Sequence, residues 1–91
     1  MIKIDNQGWL TNTVTCLSPN FNQRPNNTDI SLLVIHNISL PAGQFDTGYI
    51  SQLFSNTLDC NVHPTFGDLA DLTVSAHCMI SRQGVINQYV S

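Results

Sequence analysis

The longest apolar run of the chain, residues 32–35 (LLVI), lies between a polar loop and a histidine. Residues 18–29 are rich in Pro, Asn and Asp and have almost no apolar periodicity, which is typical of a surface loop. A short continuous apolar run that is bounded by turn signals is typical of a strand buried on both faces. We therefore predict a buried strand over residues 31–36, with His36 at its carboxyl end.

An amphipathic stripe follows Pro41 and Gly43, which break the chain after this strand. Its apolar side chains recur at i, i+1, i+4 and i+5, a spacing that places them on one face of a helix. The members of this stripe are Tyr49, Ile50, Leu53 and Phe54. Asp46 or Thr47 is suited to cap the helix, which we expect to begin near Gly48 and to face a core.

The last third of the chain has the pattern of a β-hairpin. Apolar and polar residues alternate over 74–80, residues 81–84 form a tight connection, and residues 85–90 return as a second strand. Before the hairpin, Phe66, Leu69 and Leu72 favour a short helical segment, and Pro64 forces His63 into an extended conformation. Strands and helices together predict an α/β or α+β fold.

The charge balance excludes several kinds of partner. The net charge is −3, only 10% of the residues are charged, and the fixed cations are Lys3, Arg24 and Arg82. Neutralising phosphates requires several Lys or Arg side chains, so we predict no nucleic-acid partner, and no polybasic patch is present for a membrane surface. All six acidic residues are Asp, so a Glu general base cannot come from these residues.

The apolar stretches and the cysteine spacing also indicate a cellular compartment. No apolar stretch of the length of a signal sequence follows Lys3, and no run approaches the roughly 20 residues that span a bilayer. Cys16, Cys60 and Cys78 are widely spaced and contain no C-x-x-C pattern. We therefore expect a reduced, cytoplasmic chain without a membrane partner.

The three histidines are the candidate functional residues. His36 ends the predicted buried strand, and ligands bind open α/β sheets outside the carboxyl ends of strands. Its imidazole is either a zinc ligand or a hydrogen-bonded structural group. His77 lies on a strand face, where it is either structural or part of the same cleft, and His63 is expected at the surface. The spacing of the three matches no local metal motif.

Three stretches of the chain carry a resemblance to one family. They are GWL at residues 8–10, LLVIHNISLPAGQF at 32–45 and VSAHCMISRQGVINQYV at 74–90. Together with the His63–Pro64 pair and the segment around Leu53 and Phe54, these stretches are similar to the AmpD-type anhydro-N-acetylmuramyl-L-alanine amidases. The VIHNISLP motif is the more specific part, whereas the hairpin pattern is shared with other amidases and with peptidoglycan-recognition domains.

The resemblance implies a fold, a cofactor and site residues. The implied fold is a mixed β-sheet flanked by helices, in a cytoplasmic enzyme of peptidoglycan recycling. The implied activity is zinc-dependent hydrolysis of the bond between anhydro-N-acetylmuramic acid and L-alanine in an anhydro-muropeptide. By the same resemblance, His36 is a zinc ligand, Asn37 contacts the sugar, and His77 shapes the substrate cleft.

The chain also departs from the family pattern. The resemblance implies a second His, an Asp and a Glu for zinc and proton transfer, and all three lie beyond the position where this sequence ends. It therefore implies that residues 1–91 are the N-terminal half of a single zinc-amidase domain, truncated after the hairpin and without a catalytic residue of its own. Thr73 stands where some members carry an Arg near the substrate.

Two alternatives to an amidase half follow from the same residues. The first is a non-catalytic module that binds peptidoglycan or a muropeptide weakly through Asn37 and His77. The second is a partner-dependent half-domain, which would expose an apolar sheet edge and the helical stripe. Such a chain would associate either with the missing C-terminal half or with itself.

Overall fold

A small mixed sheet lies at the centre of the fold, in a computed structural model that describes residues 2–25 and 29–91. The elements in chain order are β1 (Val14–Thr15), α1 (Tyr49–Phe54), a 3₁₀ helix (Pro64–Leu69), β2 (Cys78–Ile80) and β3 (Ile86–Gln88). Because a mixed sheet is combined with few helices, the predicted α+β class with a mixed sheet is confirmed.

Strand β3 is the middle strand of the sheet, whose order is β1–β3–β2. It pairs antiparallel with β2 and parallel with β1. The predicted hairpin is therefore confirmed, although β2 is shorter than expected and residues 74–77 lie outside it. Its turn is closed by the Ser81 amide, which donates to the Val85 carbonyl over 2.8 Å, and Gly84 supplies a φ of +83°. The pattern did not predict β1.

The helical stripe is the core of the molecule. Ile50, Leu53 and Phe54 of α1 are buried together with Tyr89, which follows β3. The rings of Phe54 and Tyr89 meet edge to face with their centroids 4.9 Å apart, a favourable aromatic geometry. The helix begins after Gly48 as predicted. The expectation that this stripe is exposed is wrong, because the sheet of the same chain covers it.

A second, smaller cluster surrounds the 3₁₀ helix. Phe66 is fully buried, and its ring packs against the rings of Tyr49 and His63, with both centroid distances 5.2 Å. His63 is extended, as its position before Pro64 predicted, and its ring nitrogen accepts a hydrogen bond from the Thr65 amide. The predicted short helical segment is present as a 3₁₀ helix with a histidine as its N-cap, but it ends at Leu69 and does not include Leu72.

The predicted strand over residues 31–36 is wrong in this structure. Residues 32–35, which we call the apolar run, are in no strand, and their exposed fractions are 78, 82, 75 and 85%. A strand requires a neighbour for its backbone groups, and no hydrogen bond joins residues 31–36 to other described parts of the chain. The local pattern is that of a buried strand, but the described residues supply nothing that buries it.

The polar loop over residues 18–29 is only partly a surface loop. Residues 26–28 lie outside the described residues. Ser18 is buried, and its hydroxyl donates a hydrogen bond to the Phe54 carbonyl at the end of α1.

Within the described residues, no helix has the length and apolar character needed to cross a lipid bilayer.

Candidate functional site

His36 and Asn37 lie at the end of the apolar run, just before the chain returns to the core. Both side chains are exposed and make no hydrogen bond within the described residues. The return begins at Leu40, which packs against the core and whose carbonyl accepts a 2.7 Å hydrogen bond from the Thr47 hydroxyl. His36 is therefore connected to a fixed point of the fold through only three intervening residues.

The loop that follows Leu40 is also held against the hairpin. The guanidinium carbon of Arg82, in the hairpin turn, lies 3.7 Å from the centroid of the Phe45 ring. At this distance a cation is attracted to the negative face of the ring. The contact links the hairpin turn to the segment that carries His36 and Asn37, a pairing that the sequence pattern did not predict.

The backbone of His77 is held by Tyr89, the residue that follows the central strand β3. Its carbonyl accepts a 2.8 Å hydrogen bond from the Tyr89 amide, which fixes its backbone beside the core. Its side chain is exposed and lines an open groove of about 540 Å³. His36 and Asn37 do not line this groove, so the described chain does not bring the three predicted site residues into one cavity.

Asn20 lies in one wall of the groove, and no pattern in the sequence signals its role. Its side-chain nitrogen donates to the Phe54 carbonyl, to the Asn56 side chain and to the Val74 carbonyl, over 2.8–3.2 Å. These bonds join the polar loop to the end of α1 and to the segment before His77. The bond to the Val74 carbonyl therefore joins the loop wall of the groove to the segment that leads to His77.

Gln88 is the second polar residue that the sequence pattern missed. It is buried in β3, and its side chain accepts from the Leu10 amide over 2.7 Å and donates to the Gly8 carbonyl over 2.8 Å. A third bond reaches the Val90 carbonyl. Since buried polar groups are costly unless they are paired, Gln88 fixes the GWL segment onto the sheet.

Two ionisable groups near the sheet have shifted pKa values. Burial raises the pKa of the Tyr89 hydroxyl, and a 2.8 Å hydrogen bond with the Ser51 hydroxyl partly opposes this shift. Burial also raises the pKa of the Cys78 thiol, so this thiol is less nucleophilic than an exposed one at neutral pH. Cys16, Cys60 and Cys78 are all free and half-buried.

The described residues do not form a metal site. Across residues 2–25 and 29–91, no three side chains of His, Cys, Asp or Glu come together in a group that could hold a metal ion. The Nδ1 atom of His63 accepts the Thr65 amide, so its Nε2 atom could bind a metal only if the ring proton moved to Nδ1, which would break this capping bond. A catalytic zinc needs three protein ligands, so these residues alone do not fit a zinc ion.

Comparison with known proteins gives a consistent set of relatives. No family model matches the chain. It is 50% identical over 90 residues to the 1,6-anhydro-N-acetylmuramyl-L-alanine amidase AmpD of Haemophilus influenzae, a match that covers 99% of this chain and 49% of the relative. The AmpD amidase of Escherichia coli is 49% identical over 84 residues, covering 92% of this chain and 46% of the relative.

Solved structures of AmpD match the fold as well. A crystal structure of a selenomethionine AmpD derivative is 49% identical, with a TM-score of 0.90 over 97% of this chain and 49% of its own chain. The solution structure of Citrobacter freundii AmpD is 48% identical, with a TM-score of 0.52 over 97% of this chain and 47% of its own. The chain thus spans about half the length of the relatives it matches.

Proposed function

The chain is related to the AmpD amidases, of which it spans about half, and from this relationship we propose that it is part of an enzyme of the same activity. That activity is hydrolysis of the amide bond between anhydro-N-acetylmuramic acid and L-alanine. The observation that carries the proposal is an identity of about 50% over nearly all of the chain to amidases of this name. The similarity of fold, at a TM-score of 0.90, supports it.

The proposal assigns residues 1–91 to the N-terminal half of one amidase domain. In that domain His36 is a zinc ligand, Asn37 contacts the sugar of the muropeptide, and His77 shapes the cleft. The exposure of His36 and Asn37 supports these roles, because both side chains are free to meet a ligand or a further part of the domain. Zinc in such a domain would take its remaining ligands from outside these residues, so we assign no catalytic step to them.

The proposed location is the cytoplasm, and the proposed ligand is an anhydro-muropeptide rather than a nucleic acid or a membrane. The three free cysteines support a reducing compartment, where thiols are not oxidised to disulfides. The small number of cationic side chains supports a ligand that is not a polyanion.

A chimera tests this function directly. The 91 residues are joined to the half of the Haemophilus influenzae relative that they do not match, and cleavage of an anhydro-muropeptide is followed by chromatography. We expect the chimera to bind zinc and cleave the substrate, and the isolated 91-residue chain to do neither. Cleavage by the isolated chain would contradict the proposal.

Matched histidine variants locate the metal ligand in this chimera. His36→Ala should abolish zinc binding, measured by calorimetry, and lower cleavage to the background rate. His63→Asn is the control, since Asn also serves as an N-cap and this histidine already has a structural partner. A chimera that binds the muropeptide but leaves it intact, with or without zinc, would instead indicate the binding module.

A further inference from the structure

The hairpin turn meets the segment after Asn37 through a contact between two side chains. The guanidinium of Arg82 lies over the ring of Phe45, with its central carbon 3.7 Å from the ring centroid. Among the described residues, no hydrogen bond joins residues 39–47, which we call the Phe45 loop, to the hairpin. The pair of Arg82 and Phe45 is therefore the specific contact by which the hairpin turn can hold this loop.

The hairpin turn does not need Arg82 for its own shape. The amide of Ser81 donates to the Val85 carbonyl over 2.8 Å, and its carbonyl accepts from the Gly84 amide over 3.0 Å. The Ser81 hydroxyl also accepts from the Val85 amide over 3.0 Å. Since these three bonds close the turn without the Arg82 side chain, the contact of Arg82 with Phe45 acts on the loop rather than on the turn.

The Phe45 loop is closed on itself, so a hold on one of its residues fixes the others. Three hydrogen bonds of 2.7–2.9 Å close it. They join the Ser39 hydroxyl to the Gly43 amide, the Pro41 carbonyl to the Gln44 amide, and the Leu40 carbonyl to the Thr47 hydroxyl. The loop begins only two positions after Asn37. A shift of the loop therefore moves the backbone that carries Asn37 and His36.

We propose that Arg82 is a positioning residue, which holds the ring of Phe45 and thereby fixes the loop that orients His36 and Asn37 toward zinc and the muropeptide sugar. This inference deepens the proposed function and rests on the roles given there to these two residues. Arg82 acts through Phe45 and does not itself contact metal or substrate. Arginine suits this role because its planar guanidinium stacks on an aromatic face and keeps its charge at every working pH.

Hydrogen exchange in the 91-residue chain tests the contact without zinc or substrate. The amides of Gly43 and Gln44 report whether the loop is closed. Arg82→Ala and Phe45→Leu should each speed their exchange by about twofold to fivefold, the factor that corresponds to an exposed cation–π contact. The double variant should add nothing further, because the two side chains act as a pair. Lys3→Ala, which removes a positive charge from an exposed side chain elsewhere, is the control and should leave the exchange unchanged.

Steady-state kinetics of the chimera described above test the effect on the site. Arg82→Ala and Phe45→Leu should each raise KM by about twofold to fivefold, with kcat changed much less, and the double variant should match the single ones. A merely structural loss would instead lower kcat through a smaller folded fraction and leave KM unchanged. Phe45→Tyr keeps an aromatic face for the guanidinium, so its KM should stay close to the original value.

Three outcomes would overturn the proposal. Unchanged exchange of the Gly43 and Gln44 amides in Arg82→Ala would show that the contact does not hold the loop. An unchanged KM in both single variants would show that the loop does not orient the site. A rise in KM that occurs in Arg82→Ala but not in Phe45→Leu would show that Arg82 contacts the substrate itself.

The positioning role and the amidase function can fail separately. A chimera that cleaves the muropeptide with the same KM in both variants contradicts the positioning role and leaves the function standing. A chimera that does not cleave contradicts the function, and exchange of the Asn37 and Ile38 amides in it then decides the positioning role. Faster exchange of these amides in Arg82→Ala would support the role, and equal exchange would overturn it.

Discussion

Two apolar segments of this chain have opposite environments although their hydrophobicity is similar. Ile50, Leu53 and Phe54 of α1 are 5–7% exposed, whereas Leu33 and Ile35 in the apolar run are more than 80% exposed. The helix has a single apolar face, which one side of a small sheet can cover. As a strand, the run would present apolar side chains on both faces and would also need backbone partners, so its burial requires at least two neighbours. The described residues supply the first kind of burial but not the second.

Replacing one large side chain by alanine should lower stability strongly in α1 and hardly at all in the apolar run. This difference is the strongest test of the comparison. Phe54→Ala should lower the free energy of unfolding of the 91-residue chain by about 3–5 kcal/mol, because it leaves a cavity beside Tyr89. Leu33→Ala should change it by less than about 0.5 kcal/mol, as expected for an exposed side chain. Urea unfolding followed by circular dichroism measures both values. A similar loss from the two substitutions would show that the run is already buried in the isolated chain.

Gln88, which holds the GWL segment on the sheet, should contribute less to stability than Phe54. Gln88→Ala should cost about 1–3 kcal/mol, because it leaves the Leu10 amide and the Gly8 carbonyl without their partner. Gln52→Ala, at an exposed position of α1, is the matched control and should be nearly neutral. The same urea titration tests the pair, and equal effects would mean that the GWL segment is not held by Gln88.

The smallest expected effect concerns the Tyr89 hydroxyl. Tyr89→Phe removes the hydrogen bond to Ser51, which should cost about 0.5–1.5 kcal/mol at neutral pH. Burial raises the pKa of Tyr89 in the folded state, so the unfolded chain loses this proton first as the pH rises. The neutral hydroxyl therefore contributes fully to the free energy of unfolding below pH about 10, and this contribution is lost as the pH rises further.

The variant should therefore lose less stability than the original chain when the pH is raised through this range. Unfolding midpoints at neutral pH and above pH about 10 provide the measurement. Ser51→Ala is the control, because it removes the same hydrogen bond but keeps the titrating group. If Tyr89→Phe and the original chain lost stability in parallel, another group would be responsible for the alkaline response.

The sequence predicted the elements that depend on local patterns. The stripe from Ile50 to Phe54, the turn at Gly84 and the extended His63 follow from helical spacing, turn chemistry and the constraint of proline, and all three are present. Strand β1 was missed because two residues carry no periodicity, and it pairs with a strand more than 70 positions away. Long-range pairing has no local signal.

The candidate site was only partly accessible from the sequence for the same reason. His36 was predicted to end a buried strand, but the apolar run before it is not the buried strand that its pattern indicated. The roles of Asn20 and Gln88 depend on bonds across 34 to 80 positions of sequence, which no motif in the chain encodes. The assignments of His36, Asn37 and His77 remain predictions from the family resemblance.

The pairing of β1 with β3 also has a consequence for the order in which the chain folds. This pairing and the hydrogen bonds of Gln88 join residues 8–18 to residues 87–89. Such distant contacts require most of the intervening chain to be closed into a loop, which makes them slow to form. During synthesis the β2–β3 hairpin can form only after residue 88 has left the ribosome, and the GWL segment has no docking surface until then. Gly8 thus emerges 80 residues before Gln88, the side chain that binds its carbonyl.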